Sequence, residues 1–106
     1  MTMENRWRGE VGLVVDGQTH RMRLTLGALA ELEEDLAEPS LMALVQRFEN
    51  GGFSTRDVLA LLCAGLRGGG VDMDPDALAR AEIGGGPMRA AQAAAELLAR
   101  AFAVTP

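Results

Sequence analysis

Residues 21–36, RMRLTLGALAELEEDL, decide the predicted fold because a strand pattern changes into a helix pattern within them. Thr25 lies at the change, and its hydroxyl suits the N-cap position of a helix. Four leucines then recur at spacings of three, three and four residues, which places them on one stripe. They are Leu26, Leu29, Leu32 and Leu36. Pro39 predicts the end of this helix, since proline disfavours helical geometry in the residue before it.

Two alternating segments upstream of that helix predict a β-hairpin. The apolar face of the first is formed by Val11, Leu13 and Val15, and one face of the second carries His20, Met22 and Leu24. Asp16-Gly17 joins them, and both residues tolerate the positive φ that a two-residue turn needs. Because two strands alone are marginally stable, the hairpin is expected to lay its apolar face on helices.

Four further helices are predicted downstream, each introduced by a capping residue or a proline. The start signals are Ser40, Ser54 with Asp57 as its capping-box partner, Asp74 followed by Pro75, and Pro87. Glycine runs separate these segments and act as helix stops. The predicted fold class is therefore α+β and mostly α, with an N-terminal β-hairpin packed on a bundle of four to five short helices in one domain, residues 1–106.

The last predicted helix has two apolar faces. The face taken as core carries Met88, Ala91, Ala95, Leu98 and Phe102. The second, shallower face carries Ala90, Ala94, Leu97 and Ala101. Small side chains let another helix approach closely, so this second face is a candidate partner-binding surface, although the same residues would also suit the core of the domain.

Composition excludes several classes of function. The formal charge of −5 argues against nucleic acid as a direct partner, because phosphate binding needs a cationic face. No apolar run approaches the length of a membrane span, and the N-terminus lacks the apolar region of a signal peptide. Cys63 is the single cysteine, which is compatible with a reducing compartment. These features predict a soluble, cytoplasmic protein.

No arrangement of reactive residues predicts catalysis, a cofactor, a metal or a small-molecule substrate. Cys63 has no base at a helical spacing, and a single histidine, His20, cannot form a zinc site of the usual composition. Residues 72–76 resemble the start of a calcium loop but lack its glycine and glutamate. The glycine triplets cannot form a P-loop because the chain contains no lysine. The protein is therefore not expected to be an enzyme.

The acidic side of the first helix is the second candidate surface. Glu31, Glu34 and Asp35 lie opposite the leucine stripe. One interpretation is a solvated face with nearby arginines. The other is a docking site for a basic segment of a partner. The sequence leaves both open.

Several segments, in order, carry a family resemblance. They are RGEV before the hairpin, LTLGALAELEEDL, SLMALVQRF, FSTRDVLALLCAGLRGGG and the alanine-rich AAQAAAELLARAF. From about Arg8 to Phe102 the chain resembles the small tail-assembly proteins of gene transfer agents and related long-tailed phages or prophages, a family also described as tail tube proteins.

This resemblance implies a tail-assembly chaperone that binds the tape-measure protein and helps recruit tail-tube protein in the producing bacterial cell. Self-association into a homo-oligomer is compatible with that role. The alternatives are a structural tail component retained in the particle, and a cytoplasmic adaptor unrelated to phage. A small enzyme is disfavoured by the lack of a reactive constellation.

Overall fold

The computed structural model describes residues 9–36 and 40–102, in which two strands precede five helices. The elements are β1 (Val11–Val15), β2 (Gln18–Met22), α1 (Leu26–Leu36), α2 (Leu41–Asn50), α3 (Thr55–Gly68), α4 (Pro75–Arg80) and α5 (Gly86–Ala101). This arrangement confirms the predicted fold class, a hairpin on a bundle of short helices.

The hairpin is antiparallel, with Val11 opposite Met22. Asp16 and Gly17 have φ values of 50° and 80°, so both lie in the left-handed region that a two-residue turn of this kind requires. The face that carries Val11, Leu13, Val15 and Met22 is buried against the helices. The predicted hairpin, its turn and its apolar face are confirmed.

Helix α3 is the centre of the domain and packs against α1, α4, α5 and β2. Its start is the predicted capping box, in which Ser54 and Asp57 satisfy each other's backbone amides. It is the most buried helix in the described part of the chain. Ala64, for example, is 3% exposed because α3 is covered on more than one side.

Helix α1 begins as predicted, with the amide of Ala28 donating a 3.1 Å hydrogen bond to Thr25 Oγ1. Ala28 and Leu32 are its buried residues. Leu26, the first residue of the predicted leucine stripe, is 87% exposed because at 100° per residue it lies about 200° around the helix from the buried Ala28. The predicted end at Pro39 lies outside the described residues.

The predicted core face of α5 is confirmed at Leu98, which is 3% exposed, but is wrong at Met88 and Phe102, which are 76% and 42% exposed. The smaller face, predicted as a partner surface, enters the core, where Ala94 is 0% and Leu97 1% exposed. The reason is the partner helix. A Cβ at Gly65 of α3 would lie 2.7 Å from Leu97 Cδ1, so the glycine leaves the space that the Leu97 side chain of α5 fills.

The end of α3 also approaches the hairpin closely. A Cβ at Gly68 would overlap the carbonyl oxygen of Arg23, and one at Gly69 would overlap that of Arg21. The amide of Arg23 donates a 2.9 Å hydrogen bond to the carbonyl of Gly65. These glycines therefore bring the helix end against the chain that leaves β2, in addition to ending the helix.

Candidate functional site

The described residues contain no reactive centre. No three His, Cys, Asp or Glu side chains in residues 9–36 and 40–102 are grouped to hold a metal ion. Cys63 is buried, and burial raises the pKa of its thiol to about 11, so the nucleophilic thiolate is scarce at neutral pH. His20 is half-buried on β2 opposite Leu13.

The acidic residues predicted as a partner surface differ in their surroundings. Glu31 accepts a 2.7 Å hydrogen bond from Arg67 of α3, forming an ion pair on the surface. Glu34 and Asp35 are exposed, and the backbone carbonyl of Asp35 accepts a 3.3 Å hydrogen bond from Arg56. An exposed ion pair contributes little stability. Among the described residues, the carboxylates of Glu34 and Asp35 are exposed and form no ion pair, unlike that of Glu31.

A polar cleft of about 570 Å³ lies where α1 meets the end of α3. It is lined by Glu31, Asp35, Arg67, Gly70, Val71 and Asp72. Three carboxylates face one guanidinium, so the cleft has an acidic balance that suits a cationic side chain better than an anion.

The predicted partner face of α5 is largely inside the domain. Ala94 and Leu97 are fully packed in the core, and Ala101 is half-buried. Ala90 is 8% exposed and lies in the wall of an apolar groove. A partner that contacted Ala94 or Leu97 would first have to separate α5 from α3.

The apolar groove lies between α3, α4 and α5 and has a volume of about 440 Å³. Its apolar wall is formed by Phe53, Val58, Leu59, Leu62, Leu78, Ala79, Ala81, Ile83, Pro87, Ala90 and Ala91, and Thr55 adds a hydroxyl. Sequence analysis missed this groove because its wall comes from three helices whose relative placement no local pattern specifies.

The free edge of β1 is covered by α5 and the segment before it. Arg89 Nη2 donates a 2.7 Å hydrogen bond to the carbonyl of Gly12. The amide of Gly84 donates a 2.9 Å hydrogen bond to the carbonyl of Val14. Arg100 likewise donates to the backbone carbonyl of Glu10. Edge carbonyls occupied in this way are not available to an added strand.

The free edge of β2 is covered where the chain leaves it, by the end of α3 described above. There the amide of Arg23 is bonded to the carbonyl of Gly65, and the carbonyl of Arg21 lies close to Gly69. In the described part of the chain, the rest of the β2 edge runs back to the turn and carries the exposed residues Gln18, Thr19 and Arg21. The hairpin therefore offers only this part of one edge for strand addition.

A bidentate ion pair fixes the corner between α2 and α3. Arg47 donates from Nε and Nη2 to Asp57, at 3.1 and 2.9 Å. Burial alone would raise the pKa of Asp57, but the hydrogen bond from Arg47, with those from Ser54, outweighs it and lowers that pKa below 3.8. Phe48 stacks on Phe53 across the same corner, with ring centroids 4.5 Å apart. Sequence analysis assigned Asp57 to the capping box and missed its ion pair.

The comparison with protein families covers nearly the whole domain. The family described as phage tail tube protein, GTA-gp10, matches residues 8–104. The chain belongs to this family. It follows that the role of this tail tube family protein is related to a phage or gene transfer agent tail. Neither the curated proteins nor the solved structures gave a significant match.

The described helices of this tail tube family protein include none long and apolar enough to cross a membrane. Its two predicted partner surfaces thus remain as one exposed acidic pair, Glu34 and Asp35, and one face of α5 that is mostly core. The apolar groove is the surface that the structure adds.

Proposed function

We propose that this protein is a non-enzymatic tail-assembly chaperone, which binds the tape-measure protein and assists polymerisation of tail-tube subunits. The observation that supports this role is the covering of the β1 edge by Arg89 and Gly84, together with the close approach of the end of α3 to the last residues of β2. A subunit that builds a wall by strand pairing needs free strand edges, because backbone N–H and C=O groups form the contact. A chaperone that leaves after assembly does not need them.

The exposed acidic pair supports the same role. Glu34 and Asp35 lie in the C-terminal half of α1, where carboxylates oppose the helix dipole and so gain by pairing with an added cation. A basic segment of the tape-measure protein or of the tail-tube protein is the partner of matching charge. Homo-oligomerisation through this surface would require an exposed basic counterpart on the same chain.

A structural component retained in the particle is the second candidate function. The description of the family, which names the tail tube itself, favours it. In that case the protein would be virion-associated, whereas a chaperone would stay in the cytoplasm of the producing cell.

Co-expression with the tape-measure and tail-tube proteins, followed by copy counting in purified particles, separates the two candidates. If the protein is a chaperone, the tape-measure protein should pull it down from the co-expressing cells, and finished particles should lack it. Stoichiometric presence in the particles would replace the chaperone assignment with the structural one.

A further inference from the structure

We infer that two copies of this chain associate through α5, with the two helices antiparallel and crossing at Ala95. This inference concerns the chain by itself and does not rest on the proposed function. The contact surface, called the outer face of α5, consists of exposed residues that follow one another at spacings of four, three, four and three. They are Met88, Gln92, Ala95, Ala99 and Phe102. This is the spacing at which one helix packs along another in a coiled coil.

The outer face carries no charged side chain, although the water-facing side of a helix normally does. The three charged residues of α5 lie on another side of the helix and are half-buried. Two of them, Arg89 and Arg100, donate hydrogen bonds to backbone carbonyls at the β1 edge. Each of the other four helices exposes at least one charged residue. Examples are Glu31 on α1, Glu49 on α2, Arg56 on α3 and Asp76 on α4.

The outer face is large at its two ends and small in its middle. Met88 is 76% exposed and Phe102 is 42% exposed, and they are two of the four large exposed hydrophobic residues in the described part of the chain. Ala95 and Ala99 lie between them and are also exposed. Small side chains at a contact let two helix axes approach closely. The middle of the face is therefore suited to a helix crossing.

The outer face is also symmetric about Ala95. Met88 lies seven residues before Ala95 and Phe102 lies seven residues after it. At about 100° per residue, both lie about 20° from Ala95 around the helix, on opposite sides. A two-fold axis at Ala95 therefore places Met88 of each copy opposite Phe102 of the other, and Ala95 opposite itself. A dimer with two-fold symmetry requires a surface that matches itself in this way.

A small apolar groove between α2 and α5 provides the space that an antiparallel partner needs. It has a volume of about 220 Å³. It is lined by Val45, Phe48, Glu49, Ala95, Leu98, Ala99 and Phe102. Glu49, the one charged residue of this lining, is exposed. The groove thus opens along the C-terminal half of the outer face.

The position of this groove selects the antiparallel arrangement and the second copy. Antiparallel helices bring Met88 of each copy over the groove of the other, where its flexible thioether side chain fills the space and contacts the ring of Phe102. Parallel helices would instead place Met88 against Met88 and leave both grooves empty. Because the exposed methionine and the groove that receives it belong to the same chain, the occupant of the outer face is a second copy.

The crossing point provides the variant that separates the two copies. Ala95→Glu brings two carboxylates together at the two-fold axis, where each loses hydration and repels the other. Ala30→Glu is the matched control, since it makes the same substitution at an exposed alanine of α1. Both positions are exposed in the single chain, so both variants should fold, which far-ultraviolet circular dichroism checks.

The test is sedimentation equilibrium of the purified full-length protein. A contact made by one helix and its adjoining groove is at the small end of specific interfaces. The wild type should therefore change from one chain to two between about 1 and 100 μM. Ala30→Glu should associate as the wild type does. Ala95→Glu should associate about tenfold more weakly or worse.

Disulfide formation tests the direction of the helices. With oxidised glutathione as the oxidant, Ala95→Cys should form a cross-linked dimer, because the two new thiols meet at the axis. A mixture of Met88→Cys and Phe102→Cys should cross-link between the two variants. Met88→Cys alone should not, because its two thiols would lie about 21 Å apart along the helices. The wild type should stay uncrosslinked, since Cys63 is buried.

Several results would overturn the inference and leave the proposed function standing. One is a wild type that remains a single chain at about 100 μM. Another is a dimer that Ala95→Glu leaves intact, which would place the contact on a different surface. Cross-linking of Met88→Cys with itself would mean that the helices are parallel. If the wild type is a single chain and Ala95→Glu weakens capture of the tape-measure protein, the outer face is covered by that protein instead.

Discussion

Arg47 of α2 and Asp57 of α3 form a bidentate ion pair with donor–acceptor distances of 3.1 and 2.9 Å. The side chain of Asp57 is 8% exposed and that of Arg47 is 31% exposed. The same carboxylate also accepts a 2.9 Å hydrogen bond from the amide of Ser54. One buried carboxylate therefore fixes the start of α3 and the position of α2.

Replacing Asp57 by Asn should lower the free energy of unfolding by about 2–3 kcal/mol, because Arg47 loses a charged acceptor and the capping box is weakened. Urea denaturation measures the change. The matched control is Glu31→Gln, which removes the exposed pair with Arg67 and should cost at most about 1 kcal/mol. If both variants lost the same free energy of unfolding, the burial of the Arg47–Asp57 pair would not be what makes it stabilising.

The pKa of Asp57 is lowered in the folded protein, so its contribution to stability should depend on pH. The stabilisation is fully present above the unfolded pKa, about 3.8, and is lost as the pH falls through the lower folded pKa. The difference in stability between wild type and Asp57→Asn should therefore be constant near neutral pH and shrink below about pH 4. A difference that stays unchanged down to pH 2 would refute this assignment.

Gly68→Ala should destabilise the protein although Gly68 lies at the end of a helix. Alanine would gain up to about 1 kcal/mol in helix propensity. The overlap of its Cβ with the carbonyl of Arg23 forces a backbone shift that costs about 1–3 kcal/mol or more. Gly27→Ala is the control, because Gly27 lies on the exposed side of α1 and its nearest contact is 3.9 Å away. That variant should be neutral or stabilised in thermal melts.

Leu97→Ala should cost about 2–5 kcal/mol, because Leu97 is 1% exposed and its loss leaves a cavity beside α3. Leu26→Ala should change stability by less than about 0.5 kcal/mol, because Leu26 is 87% exposed. Chemical denaturation of both variants checks which leucines form the core. A large loss for Leu26→Ala would show that this residue is covered in solution.

Cys63 should react slowly with iodoacetamide in the folded protein. Its thiol is buried, and its pKa of about 11 leaves little thiolate at pH 8. Mass spectrometry over time should show slow labelling that becomes fast once denaturant unfolds the chain. Fast labelling of the native protein would mean that α3 opens readily or that the thiol is accessible.

Reversing the charges at Glu34 and Asp35 should leave the melting temperature nearly unchanged, because neither carboxylate lies in the core. If this surface docks a basic segment, the double reversal should abolish capture of the tape-measure protein. Glu31→Arg additionally places a cation against Arg67 and is better avoided as a test of binding. Capture that survives the double reversal would leave the pair as a solvated face.

Local signals in the sequence were reliable where short-range chemistry decides the structure. The turn at Asp16-Gly17, the N-cap at Thr25 and the capping box at Ser54 all form as predicted, because each is satisfied within a few residues of backbone. The faces of α5 were not predictable in this way. Hydrophobic size favoured Met88 for the core, but the space left by Gly65 accommodates Leu97 on the other face.

The candidate surfaces likewise differ in whether a local sequence pattern or tertiary packing determines them. The exposure of Glu34 and Asp35 follows from the period of α1, which the sequence alone determined together with the hairpin, the helix starts and the fold class. Only the tertiary structure decided that the backbone of Gly68 lies against the carbonyl of Arg23 and that Arg89 covers the edge of β1. It alone also decided that α3, α4 and α5 form an apolar groove. The physical reason is distance along the chain. Capping and periodicity act within one turn or one hairpin, whereas packing depends on the shapes of surfaces that residues far apart in sequence build together.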